Sequence, residues 1–126
     1  MKLIKIFAFL FFAFLLQGCN APNETKYSNP IISGMNPDPS ICRVGDDFYL
    51  ATSTFEYFPG VPIYHSRDMI NWKLIGHALD SKNNCPLIGA SSSGGNYAPA
   101  IRYNDGKFYV TCTNYGGKGS QGAFYV

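Results

Sequence analysis

This sequence carries little net charge, and net charge is what marks many nucleic-acid-binding proteins. It has 126 residues with ten Lys+Arg against eight Asp+Glu, and the apolar leader described below contains Lys2 and Lys5. Without that leader, eight cationic side chains balance eight anionic ones, so the chain is formally neutral. A neutral chain has no basic patch, which argues against nucleic acid as a partner. The sequence also lacks a nucleotide-binding loop.

Cysteine is too sparse for a zinc site or a disulfide framework. Beyond the leader the chain has Cys42, Cys85 and Cys112, none of which belongs to a C-x-x-C pair, and His65 and His77 lie far from all three. Three cysteines cannot all pair within one chain. A disulfide from Cys42 to Cys112 or to Cys85 is one alternative in an oxidising compartment, but we expect buried free thiols.

An apolar leader opens the chain. Two lysines precede the unbroken apolar run of residues 6–16, which is shorter than the roughly 20 residues that cross a bilayer of about 30 Å. The run ends in Leu16-Gln17-Gly18-Cys19, which resembles the bacterial lipobox. We predict a signal peptide over residues 1–18 and a lipid anchor on Cys19, followed by a polar tether to residue 28. An ordinary signal peptide with a chance cysteine is the alternative.

The lipid anchor would keep the protein at a membrane without crossing it. The expected location is therefore a bacterial cell envelope, facing either the periplasm or the outside.

From residue 29 onward, the 3.6-residue apolar pattern of helices is missing. Short runs rich in Val, Ile, Tyr, Phe and Thr alternate with Gly, Pro, Asn and Asp, which predicts an all-β domain over residues 29–126. The predicted strands of the first part cover residues 41–44, 48–53, 63–66 and 72–79, with turns at residues 45–47 and 67–71.

A repeat with a period of 60 residues organises these strands. Residues 39–50 align without a gap on residues 99–110, and each copy has a turn in its middle, the second being Asn104-Asp105-Gly106. Repeated units of about four strands are typical of a β-propeller, in which each unit buries its faces against its neighbours. Two unrelated hairpins in a β-sandwich are the alternative. Since a propeller needs at least about four units, we expect this chain to be part of a longer protein.

One carboxylate occupies an unusual place in this pattern. Asn36-Pro37-Asp38-Pro39-Ser40 puts Asp38 between two prolines, immediately before the first predicted hairpin. Because each proline restricts its own φ and disfavours the helical region for the preceding residue, we expect Asp38 on a stiff, extended backbone. Such a loop suits a general base, although a rigid turn with a solvated acid is the simpler reading.

Several motifs, in the same order, resemble glycoside hydrolase family 43. The likeness runs from about residue 29 to the end and is carried by residues 36–41, 45–60, 64–72 (Tyr-His-Ser-Arg-Asp-Met-Ile-Asn-Trp), 93–99 and 103–109. The resemblance implies a five-bladed β-propeller, of which this chain would supply the first blade and most of the second. It also implies hydrolysis of β-xylosides or α-L-arabinofuranosides with inversion, so that xylan- or arabinan-derived saccharides are the expected partners.

The resemblance also implies roles for individual residues. Asp38 matches the general base of the family, and Phe55 and Tyr97 match aromatic positions that wall the sugar subsite. A simpler reading places both aromatics in the core. The general acid and the carboxylate that tunes it come from later blades in this family, and Glu56 is the one carboxylate here that could face the site. Residues 20–126 alone are therefore expected to be inactive.

Three other readings stay open at this stage. Invertase-like hydrolases have the order Asn-Asp-Pro-Asn-Gly instead, with a nucleophilic aspartate. A non-catalytic glycan-binding lipoprotein would keep the propeller and the aromatic platform, and a purely structural propeller would leave Asp38 unexplained.

Hydrolysis requires no cofactor and the sequence shows no metal cluster, although the family likeness allows a structural calcium ion.

Overall fold

The structure is a computed structural model that describes residues 26–81, 87–116 and 121–126. Every regular element in these ranges is a β-strand, which confirms the all-β prediction. In chain order the strands are β1 (Ser40–Val44), β2 (Asp47–Ala51), β3 (Gly60–Ser66), β4 (Lys73–Leu79), β5 (Gly95–Asn104), β6 (Lys107–Tyr115) and β7 (Gly122–Tyr125).

The strands form two antiparallel sheets, ordered β1-β2-β3-β4 and β5-β6-β7. In the first hairpin Val44 pairs with Asp47, and in the second Asn104 pairs with Lys107, so each turn has two residues. The second turn, Asp105-Gly106, has φ of +47° and +78°, a left-handed pair that Asp and Gly tolerate. The predicted repeat of two hairpins is therefore confirmed.

Two strand boundaries differ from the sequence prediction by more than one residue. β2 ends at Ala51 instead of residue 53, because the N–H of Ser53 leaves the sheet and donates to the carbonyl oxygen of Pro37 at 3.0 Å. β3 begins at Gly60, three residues earlier than predicted. Gly60 pairs with Leu79 of β4, and Pro62 pairs with His77. Contacts with residues distant in sequence, not local propensity, decided both boundaries.

The hydrophobic core lies between the two sheets. It contains Ala51, Val61 and Leu79 from the first sheet, and from the second Ile101, Val110 and Cys112. β1 lies against β5, where the N–H of Ile101 donates to Ser40 Oγ at 3.1 Å. Each sheet buries apolar side chains against the other, which is the arrangement expected of adjacent propeller blades.

The bend between β3 and β4 confirms the predicted turn at residues 67–71. Asp68 accepts hydrogen bonds from the backbone N–H groups of Ile70 and Asn71, and Ser66 Oγ accepts from those of Asp68 and Met69. The Asn71 contacts are the main cause that lowers the pKa of Asp68 well below its usual range.

Two of the three downstream cysteines lie in the described part of the chain. Cys42 is a half-buried free thiol, and Cys112 is buried, with its Sγ 2.9 Å from the carbonyl oxygen of Tyr97. Cys85 lies outside the described residues.

The predicted signal peptide, the lipid-anchor residue Cys19 and most of the tether also lie outside the described residues. Within the ranges that the structure describes, no helix has the length and apolarity that crossing a membrane requires.

Candidate functional site

Asp38 lies two residues before β1, in the loop between Pro37 and Pro39. Its φ is +52°, so the predicted extended backbone is wrong and Asp38 adopts the left-handed conformation. Aspartate tolerates this conformation better than most residues, because its short polar side chain can make local hydrogen bonds. Contacts of the loop with the segment after β2 override the restriction that Pro39 imposes.

Ser53 holds this loop at two points. Its backbone N–H donates to the carbonyl oxygen of Pro37 at 3.0 Å, and its Oγ donates to Asp38 Oδ2 at 2.8 Å. Ser53 is fully buried, whereas Asp38 is exposed. Among the described residues, no group donates to the other carboxylate oxygen, Oδ1. The carboxylate is therefore oriented through one oxygen and open to water through the other.

Asn36 ties the other side of the loop to β3. Its Oδ1 accepts a hydrogen bond from the Tyr64 hydroxyl at 2.8 Å, and its Nδ2 donates to the Ser33 carbonyl oxygen at 3.1 Å. Tyr64 is half-buried, and burial raises the pKa of its hydroxyl. Of the two residues that flank Pro37, Asn36 is thus anchored to β3 and Asp38 to the segment that follows β2.

The structure brings the two predicted aromatic residues together. The rings of Phe55 and Tyr97 are 5.4 Å apart between centroids at an interplanar angle of 82°, an edge-to-face contact. Both side chains are half-buried, and neither belongs to the buried core cluster. Their assignment to the sugar subsite stays a prediction.

A backbone bridge between the two sheets underlies this contact. Phe55 and Asn96 exchange both of their backbone hydrogen bonds at 2.9 Å. At Gly95, where φ is +94°, an added Cβ would lie 2.3 Å from the Phe55 carbonyl oxygen. Only glycine allows the two segments to approach this closely.

A β-bulge follows Tyr97 in β5. Tyr97 pairs with Thr113 and Ala100 with Thr111, so that two residues of β5 face one residue of β6. One of these two residues of β5 is Pro99, which has no N–H to donate to the sheet. Bulges re-aim side chains at the ends of sheets, and this one places Tyr97 at the boundary between the sheets.

Glu56 follows Phe55 and contacts the turn before β5. Its Oε2 accepts a hydrogen bond from the N–H of Ser93 at 3.1 Å. The Tyr97 hydroxyl donates to the carbonyl oxygen of the same Ser93 at 2.5 Å. From the sequence, Glu56 was the one carboxylate that could face the site, as a weak candidate for the general acid. In the structure its carboxylate binds the turn at Ser93.

The segment that follows β2 connects the Asp38 loop with the aromatic pair. Ser53 orients Asp38, Phe55 bridges to β5, and the buried Thr54 between them accepts the N–H of Val61 through its Oγ1 at 3.2 Å. One four-residue segment, 52–55, therefore anchors both the predicted base and the aromatic pair. Sequence reasoning missed Ser53, whose only signal was a small polar residue at the end of an apolar run.

The acidic residues of the hairpin turns lie at the opposite end of the sheets. Asp47 Oδ1 is 2.7 Å from His65 Nε2 and 3.1 Å from Arg67 Nε, and the hydrogen bond from His65 is the main cause that lowers its pKa. Across residues 26–81, 87–116 and 121–126, no group of three His, Cys, Asp or Glu side chains could hold a metal ion. We assign no metal to this part of the chain.

Comparison with known proteins agrees with this architecture. The model of the family described as Glycosyl hydrolases family 43 matches residues 27–126. A non-reducing end alpha-L-arabinofuranosidase of Bacteroides ovatus is 72% identical over 104 residues, covering 82% of this chain and 20% of that protein. A xylan 1,3-beta-xylosidase of a Vibrio species is 56% identical over 90 residues, covering 71% of this chain and 17% of that protein.

A solved structure, Bacteroides ovatus Xyloglucan PUL GH43B, superposes with a TM-score of 0.77 at 72% identity and covers 79% of this chain and 20% of that one. The chain thus spans about one fifth of the length of the curated relatives it matches. The family model covers most of the chain, and the two relatives match more than two thirds of it. The chain belongs to glycosyl hydrolases family 43.

Proposed function

We propose that this chain is the first part of an exported, lipid-anchored glycoside hydrolase that cleaves β-xylosides or α-L-arabinofuranosides with inversion. The observation that carries the proposal is the state of Asp38, whose carboxylate is held by Ser53 through Oδ2 and open to water through Oδ1. An inverting enzyme needs one ionised carboxylate that is fixed in direction and accessible to a water molecule.

In the proposed mechanism, Asp38 acts as the general base. A water molecule hydrogen-bonded to Oδ1 gives its proton to the carboxylate while its oxygen attacks the anomeric carbon, on the face opposite the leaving group. A carboxylic acid on the other side, about 6.5–9.5 Å away in inverting glycosidases, protonates the leaving oxygen. We propose that this acid and the carboxylate that tunes it come from later blades of a five-bladed propeller, of which the chain supplies the first blade and most of the second.

We propose that Phe55 and Tyr97 wall the sugar subsite. An aromatic ring packs well on the C–H face of a pentose, and the edge-to-face pair presents such a surface beside the segment that anchors Asp38. The two relatives above are named for α-L-arabinofuranoside and β-xyloside hydrolysis. The higher identity to the arabinofuranosidase favours an arabinofuranoside as the preferred substrate.

The remaining parts of the proposal concern organisation and location. Residues 1–18 would be removed on export, Cys19 would carry the lipid, and residues 20–28 would connect it to the propeller domain that begins at residue 29. The enzyme would face the periplasm or the outside of a bacterial envelope, with xylan- or arabinan-derived saccharides as partners. Hydrolysis would require no cofactor, and the family likeness allows a structural calcium ion.

The test begins with the gene sequence beyond Val126 and expression of the intact mature protein. We expect hydrolysis of 4-nitrophenyl α-L-arabinofuranoside or β-xyloside, with the inverted anomer as the first product by NMR. Asp38→Asn keeps the shape of the side chain but removes the base, and we expect kcat to fall by about 10²–10⁴ while the variant still folds. An intact protein that binds xylan or arabinan without cleaving either glycoside would instead indicate a glycan-binding lipoprotein.

A further inference from the structure

We propose that Glu56 is a positioning residue for the sugar subsite, because its carboxylate fixes the turn of residues 91–95 and through this turn the place of Tyr97. The proposal goes beyond the roles assigned above to Asp38, Phe55 and Tyr97. Its kinetic part rests on the proposed function, whereas its structural part does not.

The first step is the contact between Glu56 and Ser93. Glu56 follows Phe55 directly, is half-buried, and reaches across 37 residues of sequence to accept the Ser93 N–H at Oε2. A hydrogen bond to an ionised carboxylate is stronger than one between neutral groups. The ion pairs of the described residues do not include Glu56, so this contact is what holds its carboxylate in place.

The second step is the conformation of the turn. Ser93 has φ of +61°, a left-handed conformation that a non-glycine residue keeps only when its surroundings hold it. Within the turn, the N–H of Gly94 donates to the Ser91 carbonyl oxygen at 2.8 Å. The other two bonds come from outside: Glu56 accepts the Ser93 N–H, and the Tyr97 hydroxyl donates to the Ser93 carbonyl oxygen.

The third step links the turn to the aromatic surface. Tyr97 touches Phe55 with its ring and Ser93 with its hydroxyl, so the ring is fixed at both ends only while Ser93 stays in place. Without Glu56 the acceptor for the hydroxyl moves, and the ring gains freedom to rotate. Because a pentofuranoside and a pentopyranoside offer different C–H faces to the ring, the position of Tyr97 affects which of the two binds better.

The experiment compares Glu56→Ala with Glu56→Gln in the intact protein, since glutamine keeps an acceptor oxygen at the same position. We expect Glu56→Ala to raise KM about three- to tenfold while kcat changes less than about twofold, and Glu56→Gln to recover most of the loss. Tyr97→Phe should raise KM similarly, and adding it to Glu56→Ala should raise KM no further, because both variants remove the same restraint. The ratio of KM values for the arabinofuranoside and the xyloside should shift in Glu56→Ala, in Tyr97→Phe and in the double variant, and stay close to wild type in Glu56→Gln.

Amide hydrogen exchange provides a readout that does not depend on activity. We expect residues 91–97 to exchange faster in Glu56→Ala than in wild type, and Glu56→Gln to stay close to wild type. Asp46→Ala is the control, because it removes an exposed carboxylate in the β1–β2 turn. If Glu56→Ala and Asp46→Ala exchange alike in residues 91–97, the positioning role is wrong.

The outcomes separate this proposal from the proposed function. An intact protein that cleaves neither glycoside contradicts the proposed function, and hydrogen exchange then decides the role of Glu56 alone. Unchanged KM values with normal wild-type activity would reject the positioning role and leave the hydrolase assignment standing. A collapse of kcat with altered pH dependence would also reject it, because Glu56 would then act on the reacting atoms.

Discussion

The two ends of the sheets are built in different ways. At one end, the β1–β2 and β5–β6 hairpins close through two-residue turns of Gly and Asp, which adopt left-handed backbone readily. The β3–β4 bend at the same end also has one left-handed non-glycine residue, Met69. At the other end, which holds the candidate site, four non-glycine residues beside Gly95 have left-handed φ: Asp38, Phe55, Val61 and Ser93. Such residues cost about 1–3 kcal/mol each in that conformation and persist only when their surroundings hold them.

The difference shows where each end obtains its shape. The two-residue turns of the turn end depend on residues next to one another in sequence, whereas the site end depends on contacts such as Ser53 with Asp38, Phe55 with Asn96, and Glu56 with Ser93. Unfavourable backbone conformations concentrate at functional sites, because a site must aim side chains in directions that regular structure does not provide. The following predictions test this contrast, from the largest expected effect to the smallest.

Gly95→Ala should have the largest effect, because it separates the two sheets at the site end. The added Cβ would meet the Phe55 carbonyl oxygen at 2.3 Å with φ at +94°, so the backbone must move. We expect the free energy of unfolding of the intact protein to fall by more than about 3 kcal/mol in urea denaturation. Gly106→Ala is the matched control at the turn end, where φ is +78° but nothing lies within 4 Å of an added Cβ. Its expected loss is about 1–2 kcal/mol, and equal losses would abolish the contrast.

Ser53→Ala should lower activity more than stability. It removes the donor that orients Asp38 Oδ2 and leaves a small side chain in a buried position. We expect kcat to fall about 10- to 100-fold, because small misplacements of a reacting group have effects of that size. The free energy of unfolding should fall by about 1 kcal/mol.

Ser53→Thr is the control for this variant, because threonine keeps the hydroxyl. We expect it to recover part of kcat. A Ser53→Ala protein with wild-type kcat would show that Asp38 needs no orientation from Ser53.

Tyr64→Phe should have a smaller effect at the same end. It removes the hydroxyl that donates to Asn36 and leaves the half-buried ring in place. We expect a loss of about 0.5–1.5 kcal/mol in the free energy of unfolding, measured by urea denaturation. Tyr57→Phe, at a position 58% exposed, is the control and should stay at wild-type stability. A Tyr64→Phe protein as stable as this control would mean that the Asn36 contact contributes nothing.

Asp68→Asn should have the smallest effect and depend on pH. Hydrogen bonds, first from the Asn71 backbone, lower the pKa of Asp68 below its ordinary value of 3.8. Because the folded pKa is lower than the unfolded one, the carboxylate stabilises the fold above the ordinary value, and this contribution is lost as the pH falls through the folded pKa. The variant should therefore be less stable than wild type at neutral pH, and thermal denaturation at decreasing pH should show the difference shrinking.

Asp46→Asn is the matched control for the bend, because its side chain is 95% exposed. We expect it to show no comparable pH-dependent difference from wild type. If Asp68→Asn is less stable than wild type by the same amount at every pH, the charge of Asp68 is not what stabilises the fold.

Most of the fold could be predicted from the sequence. The hairpin turns, the 67–71 bend and the 60-residue repeat follow from Gly, Asp and Asn at defined places, and these residues act on their nearest neighbours. The start of β3 could not be predicted, because Gly60 and Pro62 are poor strand formers and are held by pairing with β4.

The candidate site could be predicted only in part. The family motifs singled out Asp38, Phe55 and Tyr97, and the structure joins them through the segment 52–55. The backbone of Asp38 was predicted wrongly, because the rule for a residue before proline describes a local preference that Ser53 overrides. The hydrogen-bond partners of Ser53 and Glu56 could not be predicted from the sequence, since each partner is brought close only by folding.

By itself, the sequence determined the strand pattern, the turns and the identity of the side chains at the site, because hydrophobic alternation and turn chemistry act over a few residues. Only the tertiary structure decided how these side chains are oriented. Packing of the two sheets brings residues 52–56 against the loop of Asp38 on one side and the turn of Ser93 on the other. Those hydrogen bonds join residues 15 and 37 positions apart in the chain, so no local rule could specify them.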